Sequence, residues 1–195
     1  MAANDLRALT RERIAGLDNL LRIGGDSIQV RLIEPLHVLS MRLLPGCGNV
    51  IARAVAGVGL AALPGAGRFS GMGPLVLWRN PGEFLLVAQN RRDADGVLAE
   101  LAPSPQALAY AVDQSDGLVT IELCGAALDE VLHRLLDATA VPMETGQGTR
   151  ARLADIAVFA LRLDPERAWL MVDRANDQFL ARWIAYAIDA LPTLT

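Results

Sequence analysis

The chain has 195 residues, of which 52% are hydrophobic and 21% are charged, and its formal net charge is −4. So many apolar residues exclude an intrinsically disordered chain, and the acidic balance argues against a nucleic-acid-binding surface. No apolar run approaches the roughly 20 residues that a membrane helix needs. The N-terminal stretch has no apolar signal-peptide core, and only two cysteines are present. These features predict a cytoplasmic protein without disulfides and without membrane contact.

The first half of the chain predicts an arm followed by strands and helices. Residues 1–27 form the arm, with leucines at helical spacing up to Gly24-Gly25. Residues 28–33 and 38–44 predict strands, and residues 50–58 a helix. A Gly- and Pro-rich loop is expected over residues 57–74. Residues 75–79 and 83–88 then predict a hairpin, with Asp93 or Asp95 as the cap of the next helix.

The second half repeats this order of elements. Residues 108–113 and 118–123 predict a hairpin, and residues 128–136 a helix with a clean apolar stripe. Residues 139–152 are expected to form a polar loop. Two strands follow, at 156–163 and 169–172. The last helix counts Trp183 among its apolar positions and has Asn176 as its expected cap. The aromatic residues of the chain are predicted to lie mainly in the core.

The two halves share the pattern β-α-ββ-α, and such a repeat defines the architecture. We therefore predict an α+β domain over residues 28–195, built from pseudo-symmetric halves at about 28–104 and 106–191. Each half would form a mostly antiparallel sheet with helices packed on one face.

Few residues suggest chemistry. His133 has Asp129 and Asp137 four residues away on either side, but such a helix face is more often solvated charge than a general base. His37, His133, Cys47 and Cys124 could supply four zinc ligands but lack the close spacing of a zinc site. The cysteines are therefore interpreted as small buried thiols, and whether they meet stays open. We predict no catalytic, cofactor-binding or metal-binding residue in this chain.

The basic residues instead suggest contacts with other proteins. All 18 of them are arginine, which reflects either a GC-rich genome or the suitability of arginine for protein interfaces. Arg68 and Phe69 on one predicted loop, and Arg150 and Arg152 on the corresponding loop of the second half, are the candidate contact residues. Phe69 is expected to be exposed.

Three segments, in this order, resemble the sarcosine oxidase γ subunit family. They are WRNPGEFLLV at residues 78–87, DQSDG at 113–117 followed by TIELCG at 120–125, and LMVDRA at 170–175 leading into the helix that contains Trp183. The resemblance runs from about residue 28 to residue 191 and leaves the N-terminal arm uncovered.

The resemblance implies an accessory, non-catalytic subunit of a heterotetrameric flavoenzyme. Members of the family assemble with α, β and δ subunits, and the complex oxidatively demethylates sarcosine or a related N-methyl amine and passes the carbon to tetrahydrofolate. FAD, FMN, NAD, tetrahydrofolate and zinc are expected on those partner subunits and not on this chain. The wider fold group includes the glycine-cleavage T-protein.

Two alternatives remain open at this point. The chain is either a subunit of that kind or a stand-alone tetrahydrofolate-binding protein, in which Glu83, Glu122 and Asp113 meet a pterin in a central cleft. An independent enzyme that uses Cys124 or His133 ranks below both, because no partner residues stand at diagnostic spacing.

Overall fold

A computed structural model describes residues 27–34, 36–44, 48–60, 62–102 and 109–191. Most of the predicted N-terminal arm and Cys47 lie outside these ranges. In chain order the elements are β1 (Gln29–Leu32), β2 (His37–Leu43), α1 (Gly48–Ala56), β3 (Phe69–Gly71), β4 (Leu75–Asn80), β5 (Glu83–Ala88), α2 (Arg91–Leu101), β6 (Ala109–Asp113), β7 (Leu118–Cys124), α3 (Leu128–Leu135), β8 (Gly148–Leu153), β9 (Ile156–Asp164), β10 (Arg167–Asp173) and α4 (Asp177–Asp189).

The strands form two antiparallel sheets of five strands each. The first sheet has the order β3-β4-β5-β2-β6, and the second has the order β1-β7-β10-β9-β8. Each sheet therefore contains one strand from the opposite half of the sequence. β1 begins the first half but pairs with β7, and β6 begins the second half but pairs with β2. The two halves of the repeat exchange their leading strands.

This exchange shows that the predicted hairpin of residues 108–113 and 118–123 is wrong. Asp113 of β6 pairs with Leu39 of β2, whereas Glu122 of β7 pairs with Arg31 of β1. An alternating strand fits any antiparallel neighbour whose faces match, so the short connection suggested a hairpin that does not form.

Each half also contains one strand more than predicted. β3 lies in the expected loop of residues 57–74, and β8 lies in the expected loop of residues 139–152. In β8, exposed Arg150 and Arg152 alternate with buried Ala151 and Leu153, so the apolar face is small and its period is easily missed. The α+β class and the two antiparallel sheets are confirmed.

Three apolar clusters define four layers. Helices α1 and α2 cover the outer face of the first sheet with residues such as Ile51, Val55 and Val97. Helices α3 and α4 cover the outer face of the second sheet in the same way. The inner faces meet in a third cluster made only of strand and near-strand residues, including Leu85 and Met171. Helices lie on one face of each sheet, as predicted, and the other face is covered by the second sheet.

The helix caps differ from the sequence predictions. Asn90 caps α2, because its side chain accepts a hydrogen bond from the Arg92 backbone N–H at 2.8 Å, and Asp93 stands in the first turn instead. Asn176 precedes α4 but makes no capping bond with its side chain. None of the helices within the described ranges has the length and apolar character to cross a membrane.

Candidate functional site

A cavity of about 630 Å³ opens between the two sheets, where the ends of strands from both halves meet. Its apolar wall contains Leu85 from the first sheet and Phe159 from the second. Its charged residues are Arg79, Asp113, Asp116 and Asp173. An apolar wall with converging polar groups is typical of a binding site, so this cavity is the candidate functional site.

Arg79 joins the cavity to a buried carboxylate. Its guanidinium lies 5.7 Å from the centroid of the Phe159 ring and donates a hydrogen bond to Glu83 at 2.7 Å. Glu83 also accepts bonds from the Ser40 hydroxyl and the Asn80 amide, each at 2.8 Å. Glu83 is thus fully engaged with its neighbours and does not line the cavity.

These bonds decide the ionisation of Glu83. Burial alone raises the pKa of this carboxyl, but the hydrogen bonds from Ser40 and Asn80 and the charges of Arg79 and Arg42 outweigh it. The pKa of Glu83 therefore lies below its ordinary value. Its side chain is charged and has a structural role. A hydrogen bond with Tyr110 and the charge of Glu83 in turn raise the pKa of Arg42.

The segment DQSDG lies at the end of β6 and in its connection to β7, where the chain passes from the first sheet to the second. The Ser115 hydroxyl accepts a bond from the Val38 backbone N–H at 3.0 Å and donates to Asp113 at 2.5 Å. Burial raises the pKa of Asp113, but the bonds from the Ser115 side chain and backbone, with the charges of Arg91 and His37, bring the net pKa below the ordinary value. We call Val38, Asp113 and Ser115 the crossover clasp.

A smaller cavity of about 210 Å³ lies on the other side of the crossover clasp, and Asp113 and Asp116 line both cavities. His37 lies here with Arg91, Glu34 and Arg174. Arg174 donates to the backbone oxygens of Asp116 and Leu118 and bonds to Glu34. His37 therefore lies beside residues that join the two connections between the sheets, and not with His133 or Cys124.

The three carboxylates proposed for a pterin do not converge. Asp113 lines the cavity, but Glu83 is held as described. Glu122 accepts a bond from the Trp169 indole at 3.1 Å and forms an ion pair with Arg31 at 3.4 Å. All three carboxylates are thus engaged within the protein, Asp113 through its bond from the Ser115 hydroxyl.

The predicted contact residues have mixed positions. Arg68 is exposed and forms a 2.8 Å ion pair with Glu144, and Arg150 and Arg152 are exposed on β8. The prediction that Phe69 is exposed is wrong, because its side chain is buried between the sheets. Backbone bonds from Phe69 to Gly146 and from Gly148 to Gly67 join β3 and β8 at this edge. The two corresponding segments therefore lie side by side, and Phe69 is buried where they meet.

The residues considered for independent catalysis stay apart. Cys124 is a half-buried free thiol at the end of β7, and His133 is exposed in the last turn of α3. Asp129 is paired with Arg162 at 2.5 Å. In the part of the chain that the structure describes, no three His, Cys, Asp or Glu side chains are grouped to hold a metal ion.

Helix α4 has an exposed aromatic face that the sequence pattern did not predict. Phe179, Trp183 and Tyr186 were predicted to be core residues, but their side chains are exposed, Tyr186 to 69%. The spacing 179, 182, 183, 186 is itself a helical stripe, displaced from the buried stripe of Leu180, Ile184 and Ala187. The presence of two apolar stripes on one helix is the sequence feature that could have predicted this exposed face.

Comparisons with known proteins give consistent relatives. The chain matches no protein-family profile. It is 30% identical to the sarcosine oxidase subunit gamma of Corynebacterium sp. strain P-1, with 98% of this chain and 96% of that protein covered. It is 28% identical to the subunit of the same name from Corynebacterium sp. strain U-96, with 97% and 92% covered.

Solved structures show the same fold. A chain of the heterotetrameric sarcosine oxidase from Corynebacterium sp. U-96 superposes with a TM-score of 0.76 at 24% identity, covering 93% of this chain and 94% of that one. The glycine cleavage aminomethyltransferase T from Bartonella henselae superposes with a TM-score of 0.57 at 14% identity, covering 86% of this chain and 48% of that one. The latter likeness concerns the fold alone.

Proposed function

This chain belongs to the sarcosine oxidase γ subunit family, and from that premise we propose that it is the accessory, non-catalytic γ subunit of a heterotetrameric sarcosine-oxidase-like flavoenzyme. The observation that carries the proposal is the similarity to γ subunits over 98% of this chain and 96% of the relative. The α, β and δ subunits would supply the catalytic machinery.

In this proposal the complex demethylates sarcosine or a related N-methyl amine by oxidation and transfers the carbon to tetrahydrofolate. FAD, FMN, NAD, tetrahydrofolate and zinc belong to the partner subunits. The geometry of this chain supports an accessory role, because its buried carboxylates Glu83 and Glu122 bond to internal donors. Side chains engaged in this way stabilise a scaffold and are not available to a substrate.

We also propose Arg68, Arg150 and Arg152 as contacts with partner subunits, without Phe69. The three arginines are exposed near the edge where β3 and β8 meet. Arg150 makes no ion pair with another described residue, so a carboxylate of a partner is able to bind it without breaking an internal pair.

Co-purification from the native host tests the proposed function. We expect the tagged full-length chain to bring down two larger flavoprotein chains and a small zinc-binding chain, and the eluate to be yellow. Untagged cells treated identically are the control for background binding. A colourless, lone chain from cells that express the flavoprotein subunits would contradict the proposal.

A stand-alone tetrahydrofolate-binding protein is the second candidate, because the cavity between the sheets combines an aromatic wall with Asp113. Titration of the isolated full-length chain with a reduced folate separates the candidates. The subunit proposal expects no saturable heat of binding. Saturable binding that Asp113→Asn abolishes would favour the second candidate.

A further inference from the structure

Helix α4 has two apolar faces, and the described part of the chain covers only one of them. Leu180, Ile184 and Ala187 face the second sheet and are buried. Phe179, Trp183 and Tyr186 follow one another at i, i+4 and i+7 on another face and remain exposed. Burying one stripe is sufficient to dock a helix on its sheet, so the second stripe is unexplained by the fold.

The exposed rings form one continuous surface. Phe179 and Trp183 have ring centroids 6.2 Å apart, and Trp183 meets Tyr186 edge to face at 5.9 Å. Arg182, Trp183 and Tyr186 line an open concavity of about 410 Å³. We call Phe179, Arg182, Trp183 and Tyr186 the α4 face.

Arg182 gives this surface a positive charge that no described residue neutralises. It is exposed, and among the described residues it forms neither an ion pair nor a hydrogen bond through its side chain. A guanidinium beside aromatic rings favours an occupant that places a carboxylate on the Arg182 side and an apolar side chain in the concavity. Trp, Tyr and Arg are also the residue types that most often dominate the energy of protein interfaces.

We propose that the α4 face is a docking site for one of the flavoprotein subunits of the complex, through a segment of that subunit that pairs a carboxylate with an apolar side chain. This inference rests on the proposed function and extends it, because it adds a surface on the outer helical layer. The three arginines near the edge between β3 and β8 form a separate surface.

Co-expression of the tagged full-length chain with the flavoprotein subunits tests the inference. We expect the double variant Arg182→Glu, Tyr186→Ser to bring down about tenfold less of the flavoprotein subunits, because both the charge and the aromatic contact are lost. The matched control is Arg92→Glu, which makes the same charge change at an exposed position of α2. The control is expected to assemble as well as the wild type.

Other outcomes overturn the inference. Undiminished assembly of the double variant would remove the α4 face while leaving the proposed function in place. A fall of several degrees in the Tm of the isolated variant would mean that the chain itself covers the face. A wild-type homodimer that the variant dissociates would assign the face to a second copy. Failure of the wild type to bind any flavoprotein subunit would overturn the proposed function and this inference together.

Discussion

Glu83 is a carboxylate in the protein interior whose charge is balanced by four neighbours. It is 6% exposed and receives bonds from Ser40, Arg79 and Asn80, with Arg42 at 3.4 Å. A buried charge is tolerated only when it is paired and hydrogen-bonded in this way. Glu83 therefore fixes the hairpin of β4 and β5 to β2.

Glu83→Gln tests this role through its pH dependence. The folded-state pKa of Glu83 is lowered, so its stabilisation is fully present above the ordinary value of 4.5 and is lost as the pH falls through the folded pKa. At pH 7 we expect the variant to be less stable by about 1.5–3 kcal/mol, because an amide cannot satisfy these donors.

Thermal unfolding at several pH values measures the effect. The Tm difference between wild type and Glu83→Gln is expected to shrink below pH 4.5. Glu144→Gln is the matched control, because that carboxylate pairs with Arg68 at the surface, where ion pairs contribute little. A Tm difference independent of pH would refute the role of the Glu83 charge.

Gly125 is the residue at which β7 turns close to the chain before β1. Its φ is +146°, and an added Cβ would stand 2.4 Å from the Ser27 carbonyl oxygen. We expect Gly125→Ala to destabilise the protein by about 1–3 kcal/mol, because the strain and the clash both act on the exchanged strand. Gly117→Ala is the control, since nothing lies within 4 Å of its added Cβ.

Chemical denaturation of the two glycine variants provides the measurement. The midpoint should fall for Gly125→Ala and stay near the wild-type value for Gly117→Ala. Equal midpoints for the two variants would show that the approach of residue 27 to β7 is not required for stability.

At the scale of elements, the crossover clasp holds β6 beside β2. Ser115 joins the Val38 backbone to Asp113, and the Gln114 N–H donates to the Val38 carbonyl at 2.8 Å. The clasp stands where the chain leaves the first sheet for the second. It therefore stabilises the pairing of the exchanged strand β6 with β2.

Ser115→Ala should lower the free energy of unfolding by about 1–3 kcal/mol, because the Val38 N–H loses its acceptor in a partly buried site. Hydrogen exchange followed by mass spectrometry should show faster exchange in β6 and the start of β2. Ser70→Ala removes a hydroxyl bonded to the Ala62 carbonyl in an exposed setting, and its effect should be smaller. Unchanged protection of β6 in Ser115→Ala would contradict the role of the clasp.

At the scale of the whole molecule, the strand exchange makes the two halves interdependent. A fragment that ends before β6 leaves the first sheet without its edge strand, and a fragment that begins at β6 lacks β1. The inner apolar cluster also takes residues from both sheets. Neither half is expected to bury a complete core alone.

Splitting the chain between residues 104 and 105 tests this interdependence. We expect each fragment, expressed alone, to lack a cooperative thermal transition in circular dichroism. Co-expressed fragments should form a one-to-one complex with a sharp transition, because both exchanged strands are then present. A cooperative transition in either lone fragment would show that the halves are independent domains.

The sequence by itself determined the α+β class, the repeated halves and the family, because apolar periodicity and the order of turn motifs are local properties. The tertiary structure alone decided the pairing of β6 with β2, since an alternating strand carries no record of its partner. The same limit applied to β8, in which Ala151 and Leu153 are the only buried apolar side chains. It also applied to Phe69 and Trp183, whose exposure depends on which surfaces meet across the fold. Local pattern specifies which residues share a face, and only packing specifies what covers it.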